Sequence, residues 1–349
     1  MKAQSVSSYA LSNALRSVVS KAQTELLKAQ QEATTGTVFD VGLALGARSG
    51  QTISLRKEYD RLSSLTEMNN LISQRMRTSQ TAIGSVIGQA QNFLANLAGA
   101  TSTVEGKTTI VQSAKSALQT TTGLLNSSYA GEFIFAGVNT DVKPLGDYFG
   151  DGSTARSAVQ EAFENHFGFA TDAPQVAGIS ASDMEAFLGT AFAAEFSEAN
   201  WSSNWSSASS TVIKSRIAPT ELTETSVSAN AEGFRKVAMS FTMVAELGDI
   251  GLNDSAFSAL INKALGTTTE AITAVSQSQS ALGIAQARTT NANTRIAAQI
   301  NILNSSVRDL EAVDPYEAAT RVSALMSQIE TSYAMTTRLM GMSLLNYLK

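Results

Sequence analysis

The chain has 349 residues, of which 43% are hydrophobic and only 16% are charged, and its net charge is -5. This length allows two domains, and the apolar content is high enough to exclude wholesale disorder. The charged fraction lies well below the roughly 25% of an ordinary soluble domain, so copies of the chain repel one another weakly and could pack closely. Because lysine and arginine are not clustered, no nucleic-acid partner is expected.

The sequence shows no leader, membrane-spanning or cysteine-based feature. No apolar run follows Lys2, so no conventional signal peptide is predicted. The sequence also contains no stretch of about 18 consecutive apolar residues, so no membrane-spanning helix and no membrane partner are expected. The absence of cysteine excludes disulfides, thiolate metal sites and cysteine nucleophiles. Such a chain fits the cytosol, and it equally fits export in an unfolded, uncrosslinked state.

The N-terminal segment predicts a helix with one apolar stripe, followed by an elbow. Gly42, Gly46 and Gly50 recur at four-residue spacing, which matches no phosphate-binding pattern and favours a flexible connection between two helices. Small and hydroxylated residues dominate the helix, and isolated helices of this kind are marginal in water. We therefore expect this helix to need a partner. Its stripe is formed by Leu11, Leu15, Val18, Ala22 and Ala29.

The positions of the four prolines separate two long arms from a central segment. Residues 1–143 and 220–314 contain no proline, the strongest helix breaker. In both arms residues recur at alternating steps of three and four, which is typical of helices packed as a coiled coil or long bundle. A helix of about 40 residues would be roughly 60 Å long. We therefore predict a mainly α-helical, elongated rod of long antiparallel helices.

Three stripes carry this repeat, and the middle of the last one is polar. A glycine-containing break near Gly99–Gly106 separates the first two. The first stripe comprises Leu62, Leu65, Asn69, Ile72, Met76, Ser79, Ile83, Val86, Ala90, Phe93 and Leu97; the second comprises Val111, Ala114, Leu118, Thr121 and Leu125; and the third comprises Ile272, Val275, Gln279, Leu282, Gln286, Thr289, Asn293, Ile296, Ile300, Leu303, Val307 and Leu310.

The centre of the chain differs in composition and predicts a compact α+β insert. Residues 129–205 contain 13 of the 23 aromatic residues, both tryptophans and the only histidine, His166. Glycine and proline punctuate this segment, so its elements are expected to be short. The pattern predicts strands at 133–135 and 211–217, a turn-rich loop at 147–152, and helices at 155–168 and 182–197.

The C-terminal segment begins with a helix start and continues as another sparse apolar stripe. In Asp314-Pro315-Tyr316-Glu317, Asp is the predicted N-cap, Pro the first helical residue and Glu the capping-box residue. We expect both terminal helices to bury their stripes against each other or against neighbouring subunits. The predicted assembly interface consists of Leu11, Leu15, Val18, Ala22, Val322, Leu325, Ile329, Tyr333, Leu344, Leu345, Tyr347 and Leu348.

No motif predicts an active site, a cofactor site or a metal site. One histidine and no cysteine cannot supply the usual zinc ligands, and neither a G-x-S-x-G elbow nor a Walker A loop occurs. His166 is more readily explained as a packed or surface residue of the insert than as a catalytic base. The sequence therefore predicts a protein that is not an enzyme.

Three segments carry a resemblance to known flagellar proteins once their residues are read in order. Residues 314–349, which read DPYEAATRVSALMSQIETSYAMTTRLMGMSLLNYLK, resemble the end of flagellar hook-associated proteins of the FlgL type. In that family a D-x-x-E-A-x-T start leads to a Tyr-Ala pair and a closing S-L-L-x-Y-L. Residues 131–145, GEFIFAGVNTDVKPL, are similar to the family's G-x-Y-x-F-x-G-x-x-T-D-x-x-P stretch, and residues 225–247 resemble the point where flagellin-like chains re-enter the rod.

The resemblance implies a flagellin-like architecture and a structural role in the bacterial flagellum. It implies a ring of copies at the junction between the first hook-associated protein (FlgK type) and flagellin. It also implies an extracellular location, reached through the flagellar type III apparatus with an export chaperone. The implied division has terminal assembly helices at 1–45 and 310–349 that are disordered in the monomer, a helical rod at 46–130 and 225–309, and an outward-facing insert at 131–224.

Three other classes of protein remain open. A flagellin of the filament would share the rod and the ends, whereas the S-L-L-N-Y-L ending and the 131–145 segment favour the junction protein. A type III translocator or tip protein would usually need an apolar membrane-inserting segment. A flagellum-associated muramidase would need a carboxylate pair in a cleft, and nothing in the sequence brings together the insert's Glu161, Glu164, Asp172, Asp183 and Glu185.

Overall fold

The computed structural model describes residues 8–100 and 103–347, and for residues 8, 9, 11, 12 and 339–347 it describes the main chain alone. Packing divides the chain into two units. The end unit comprises residues up to 64 together with those from 297 onward, and the central unit comprises Leu65–Ile296. The predicted division at residues 45, 130, 224 and 309 stays a prediction.

Helices make up most of the described chain, which confirms the predicted fold class: mainly α and flagellin-like, with long helices and a small sheet-containing insert. A 3-10 turn at Gly46–Arg48, another at Pro174–Gly178 and a π-helical turn at Trp201–Trp205 link some of them. The α-helices are α1 (Ser8–Thr35), α2 (Val41–Leu45), α3 (Ser49–Ala98), α4 (Val104–Leu125), α5 (Thr154–Phe167), α6 (Ala181–Gly189), α7 (Ala191–Ala194), α8 (Glu198–Asn200), α9 (Glu232–Leu247), α10 (Asp254–Glu311) and α11 (Pro315–Tyr347).

The predicted stripes face inward along the long helices. Every stripe residue from Leu62 to Leu97 in α3, and from Ile272 to Leu310 in α10, is buried or half-buried. These helices have 50 and 58 residues, because no proline interrupts either one. The period of the pattern therefore identified both the helices and their buried faces.

The predicted break after the first stripe is confirmed. α3 ends at Ala98, and α4 begins at Val104 after the N-cap Thr103, whose hydroxyl accepts a hydrogen bond from the Gly106 N–H. All five stripe residues of α4 are buried, and α4 packs against α9. After the break, α4 is thus free to pack against α9 instead of continuing along the axis of α3.

The short elements of the insert differ in their bounds from the predictions. The strand expected at 133–135 is β2 (Glu132–Phe133), which pairs antiparallel with β1 (Ser128–Tyr129). Beyond Phe133 the Ile134 N–H still donates to Ser127 O at 3.1 Å, and the buried Phe135 ring meets the Phe234 ring edge to face.

Two further bounds are corrected. The strand expected at 211–217 is β3 (Lys214–Ala218), paired antiparallel with β4 (Glu221–Glu224), because residues before Lys214 are held by serine hydroxyls instead of a ladder. The helix expected at 182–197 is divided at Thr190 into α6 and α7, where the backbone departs from helical angles. The helix expected at 155–168 is α5, closed by Gly168 in the left-handed conformation.

Aromatic side chains form the centre of the insert. Trp205 stacks on Trp201 and on Tyr148 with ring centroids 5.0 and 4.9 Å apart. The indole Nε1 of Trp201 donates to Asn230 Oδ1 at 3.1 Å, just before α9 begins. This aromatic group belongs to the same buried cluster as residues of the α3, α4 and α10 stripes and buried side chains of α9. Within the central unit the insert is therefore part of the core.

Serine and threonine hydroxyls on the helices bond back to their own backbone. Thr81 Oγ1 donates to Arg77 O at 3.1 Å, and Ser276 Oγ donates to Ile272 O at 2.7 Å. The same four-residue pattern recurs in α1, α4 and α11. Such bonds compete with water for the hydroxyl. They explain how helices with few charged residues keep their polar groups satisfied.

Gly233 marks the closest approach of α9 to α10. A Cβ atom at this position would lie 2.6 Å from the backbone N and 2.8 Å from Cγ2 of Val275. Gly233 is buried in the first turn of α9. Only glycine therefore lets the two helices meet at this distance.

Gly233→Ala is expected to lower the free energy of unfolding by about 1–3 kcal/mol, because the added methyl group overpacks a backbone contact. The control is Gly266→Ala in α10, where a Cβ atom would meet nothing within 4 Å; it should stabilise by about 0.5–1 kcal/mol, because alanine favours the helix. Denaturant unfolding measures both, and similar changes in the two variants would contradict the close approach.

Candidate assembly interface

In the end unit, α1 and α11 pack side by side. The buried positions are Val19, Ala22 and Ala29 on α1, and Ala318 and Ser332 on α11. Small side chains let two helices approach closely, but they remove little apolar surface from water. The seam is therefore narrow.

Two polar contacts show that the pair is antiparallel. Gln23 Nε2 of α1 donates to the Tyr333 hydroxyl of α11 at 3.0 Å, and Arg321 of α11 donates to Glu32 of α1 at 3.1 Å. Gln23, Tyr333 and Arg321 are exposed, whereas the Glu32 side chain is only 13% exposed. Each contact has at least one exposed partner, so each contributes little on its own. They nevertheless fix which turns of the two helices face each other.

The predicted interface residues lie along this pair with different degrees of burial. Ala22 is buried, whereas Val18 and Tyr333 are 43% and 51% exposed. The side chains of Leu11, Leu344, Leu345 and Tyr347, and all of Leu348, lie outside the described residues. The half-buried members are Leu15, Val322, Leu325 and Ile329. Their role in assembly stays a prediction.

The end unit exposes more large apolar side chains than it buries. Among its described side chains, only Val19 and Leu62 are buried apolar groups larger than alanine. Exposed leucines are common singly, but many exposed apolar groups beside a minimal core indicate a surface that another chain covers. The exposed groups are Val18, Leu27, Phe39, Leu43, Ile53, Ile302, Tyr316, Met326, Tyr333 and Met335.

The elbow after α1 is tied to the segment between α10 and α11. Val38 N donates to Glu311 O at 2.9 Å, and Val313 N donates to Gly36 O at 3.0 Å. Gly36 has a φ of +71°, which favours glycine. We call residues 36–38 and 311–313 the strap. The strap holds the end of α1 beside the start of α11.

A bidentate ion pair anchors the strap to α3. The Arg56 guanidinium donates to both carboxylate oxygens of Glu311, at 2.8 and 2.6 Å. Glu311 is only 5% exposed, while the Arg56 side chain is 58% exposed. A buried carboxylate is stable only when it is paired and hydrogen-bonded. The pair therefore compensates the one charge that the strap buries.

The predicted helix start after the strap is confirmed. Asp314 Oδ1 accepts hydrogen bonds from the N–H groups of Tyr316 and Glu317, at 2.8 and 3.4 Å, and Pro315 is the first residue of α11. The Glu317 side chain turns outward to pair with Arg321 at 2.9 Å. The N-cap is therefore as predicted, whereas Glu317, the predicted capping-box residue, pairs with Arg321 of the same helix instead.

Sequence reasoning missed the strap and the exposed groups of the elbow. Phe39 is 48% exposed, and Leu43, on the short helix α2, is 81% exposed. Asp40 caps α2 by accepting from the Leu43 N–H at 2.9 Å. The Asp40 cap was the available signal for a helix here, whereas no sequence pattern pairs Arg56 with Glu311.

Residues of other chemical interest have structural surroundings. His166 is exposed, and its ring packs against Phe167 and Phe187 of the insert. Across residues 8–100 and 103–347, no three His, Asp or Glu side chains are grouped as metal ligands. Over the same residues, no helix has the length and apolarity to cross a bilayer.

Comparison with known families matches both arms of the chain. The model described as the bacterial flagellin N-terminal helical region matches residues 6–140, and that of the bacterial flagellin C-terminal helical region matches residues 265–348. The chain belongs to the bacterial flagellin family. The strap and both helices of the candidate interface lie within the matched ranges. This flagellin-family protein is therefore a structural subunit of the bacterial flagellum.

A solved structure shares the fold of this flagellin-family protein. It is a Vibrio parahaemolyticus protein described as a candidate flagellar hook-associated protein, with a TM-score of 0.52 and 10% identity. The likeness covers 76% of this chain and 97% of the other. A search of curated protein sequences finds no match. The structural likeness supports the fold and leaves the position within the flagellum to be argued.

Arg56→Ala is expected to lower the free energy of unfolding by about 1–2 kcal/mol, because buried Glu311 loses a charge-assisted partner. The effect should be strongest at the strap. Amide hydrogen exchange at Val38 and Val313, whose N–H groups bond across it, should accelerate more than exchange in the central unit.

The matched control for this variant is Arg61→Ala. Arg61 pairs with Glu58 three residues earlier on the same helix, and both side chains are exposed. Its removal should leave exchange at the strap unchanged. If both variants accelerated exchange at Val38 and Val313 equally, the ion pair to Glu311 would not be the anchor.

Proposed function

We propose that this flagellin-family subunit forms the junction layer between the hook and the filament. One observation carries the assembly role: the end unit exposes ten large apolar side chains and buries two, among those described. The junction position is favoured by the resemblance of both segments to hook-associated proteins of the FlgL type. The likeness to the candidate hook-associated structure supports the same position.

The mechanism is mechanical. Each copy places α1 and α11 in a tubular lattice, where neighbouring chains cover the exposed apolar groups of the end unit. Fully burying a leucine-sized side chain contributes about 1.5–3 kcal/mol. Association must offset lost translational and rotational freedom and the ordering of side chains. In this proposal the burial of the ten exposed groups offsets these costs and holds a torque-bearing joint.

The 131–145 segment is a structural part of this proposal. Gly137 has a φ of +64°, and a Cβ atom there would lie 2.2 Å from Ser209 O. Gly131 has a φ of +87°. Both glycines of the motif thus permit a backbone path that places Phe135 in the core. The motif at 131–145 is therefore needed for the fold of the central unit, whereas the C-terminal motif belongs to the end unit.

The remaining features of the proposal follow from the junction position. The subunit has a structural role, and it lies outside the cell after export by the flagellar type III apparatus. Its neighbours are other copies in a ring, the first hook-associated protein (FlgK type) and flagellin. An export chaperone covers its ends beforehand.

Deletion of residues 340–349 is expected to leave a folded, soluble protein that cannot join hook to filament, because the closing motif is removed. Cells carrying the truncated protein should have bare hooks and should release filament protein into the medium. Electron microscopy and immunoblotting of the medium measure these outcomes, while circular dichroism of the purified protein checks its folding.

A control replaces the same ten residues by a glycine- and serine-rich segment of equal length. It should reproduce the defect, because the proposal assigns the role to the side chains and not to chain length. Motile cells with normal filaments, in either variant, would contradict the assignment of this segment.

Copy number separates the junction protein from the rival filament subunit. A junction layer needs few copies per flagellum, whereas a filament is built from a vast number of subunits. Quantitative immunoblotting of purified hook–filament structures should find this protein far below the major filament protein. Equal abundance, or labelling along the whole filament, would favour a filament flagellin instead.

A further inference from the structure

A polar side chain occupies the core of the α3 stripe. Asn69 is fully buried, as are the residues one heptad before and after it, Leu62 and Met76. Burying an amide costs free energy, and each hydrogen bond that it makes inside the protein reduces that cost. In coiled coils a single buried Asn at such a position specifies the register of the helices, at some loss of stability.

The Asn69 amide joins three elements of the central unit. Its Nδ2 donates to Asn293 Oδ1 of α10 at 2.8 Å and to Ile217 O of β3 at 2.8 Å. An Asn side chain has two N–H donors, and both are used here between elements, whereas the buried Oδ1 of Asn69 makes no hydrogen bond within the described residues. Asn293 Nδ2 in turn donates to Asn70 Oδ1 at 3.2 Å.

A second group of contacts shows that one register extends along the helices. The Gln80 side chain of α3 lies over Gly283 of α10, and the Gln279 side chain of α10 lies over Gly84 of α3. From Asn70 to Gln80 is ten residues forward, and from Asn293 to Gly283 is ten residues backward. The two helices are thus antiparallel and in step between these layers.

The β3–β4 hairpin depends on the same register. Ile217 of β3 is fully buried in a small cluster with Ala292 of α10, and Arg295 of α10 donates to Glu221 of β4 at 2.9 Å. The hairpin is therefore hydrogen-bonded to Asn69 of α3, packed against Ala292 of α10 and ion-paired with Arg295 of α10. Sliding one helix along the other would break one of these attachments.

A one-heptad slip would also remove the partner of Asn69. Such a slip displaces the helices by about 10 Å. In one direction Ile300 would replace Asn293 opposite Asn69, leaving one buried N–H of Asn69 without its acceptor. In the other direction Gln286 would replace it, and Arg295 would move away from Glu221. The apolar stripe itself repeats every seven residues and discriminates weakly between these registers.

We propose that the Asn69–Asn293 amide pair is the pin that sets the register of α3 and α10 and thereby positions the β3–β4 hairpin. This inference is independent of the proposed place of the protein in the flagellum. The stripes supply the attraction between the helices, and the amide pair selects one alignment among those that the repeat allows.

A double-mutant cycle on the full-length chain measures the pin. Asn69→Ala, Asn293→Ala and the double variant should show a coupling of about ten-fold in the unfolding equilibrium constant. Thr268 is a control, because it is fully buried in α10 and its hydroxyl bonds to Ala264 O of its own helix. Asn69→Ala with Thr268→Val should show no coupling. Absence of coupling between the two asparagines would overturn the proposal.

Spin labels measure the register directly. Because the chain has no cysteine, Thr81→Cys and Ser280→Cys, both at exposed positions, provide the only labelling sites. The parent chain should give one narrow label-to-label distance. In N69L/N293L, where the seam is wholly apolar at this layer, a second population displaced by a slip of about 10 Å along the helices should appear. A single unchanged distance in that variant would overturn the proposal.

Discussion

The central unit depends on one antiparallel seam between two very long helices. α3 and α10 have 50 and 58 residues, and their inward stripes stay buried or half-buried throughout. The other elements of the central unit are placed relative to this seam: α9 meets α10 at Gly233, and the β3–β4 hairpin is bonded to both helices. A periodic seam supplies strong attraction but little discrimination between alignments. The few polar contacts between α3 and α10 therefore add little to the attraction between the helices, but they decide how the helices align.

The end unit shows what happens when a helix pair lacks such a seam. α1 and α11 meet through alanine-sized groups, and the strap with its Arg56–Glu311 pair holds their connection. Most of the larger apolar side chains described in this unit face outward. Under the proposed assembly role, the chains that cover this pair supply the stability that its small buried area lacks, which couples folding of these helices to assembly. This is the property that a subunit of a polymeric tube requires.

The helices and their buried faces could be predicted because a seven-residue repeat is a local, repeated signal. The Asp314 N-cap was also predictable, since every group it bonds lies within three residues. The predicted bounds of the strands near 133–135 and 211–217 were wrong because side-chain contacts decide them. Phe135 packs against Phe234, and the N–H groups of Thr211 and Ile213 donate to serine hydroxyls. Arg56 and Glu311 are 255 residues apart, and neither carries a motif, so only the fold reveals their pairing. The exposed Phe39 and Leu43 were missed because a single apolar residue in a short connection between long helices indicates neither burial nor exposure.

The back-bonded hydroxyls have a consequence for how such helices meet other chains. A threonine whose hydroxyl already donates to the carbonyl four residues earlier in its helix, as Thr34 does to Gln30 O and Thr331 to Ser327 O, loses little hydration when it is covered. It also has one torsion to immobilise, where a lysine or glutamate has several. A helix surface made of these residues has a small desolvation free energy that depends little on salt concentration. Another helix can therefore pack against it without displacing bound counterions or separating ion pairs.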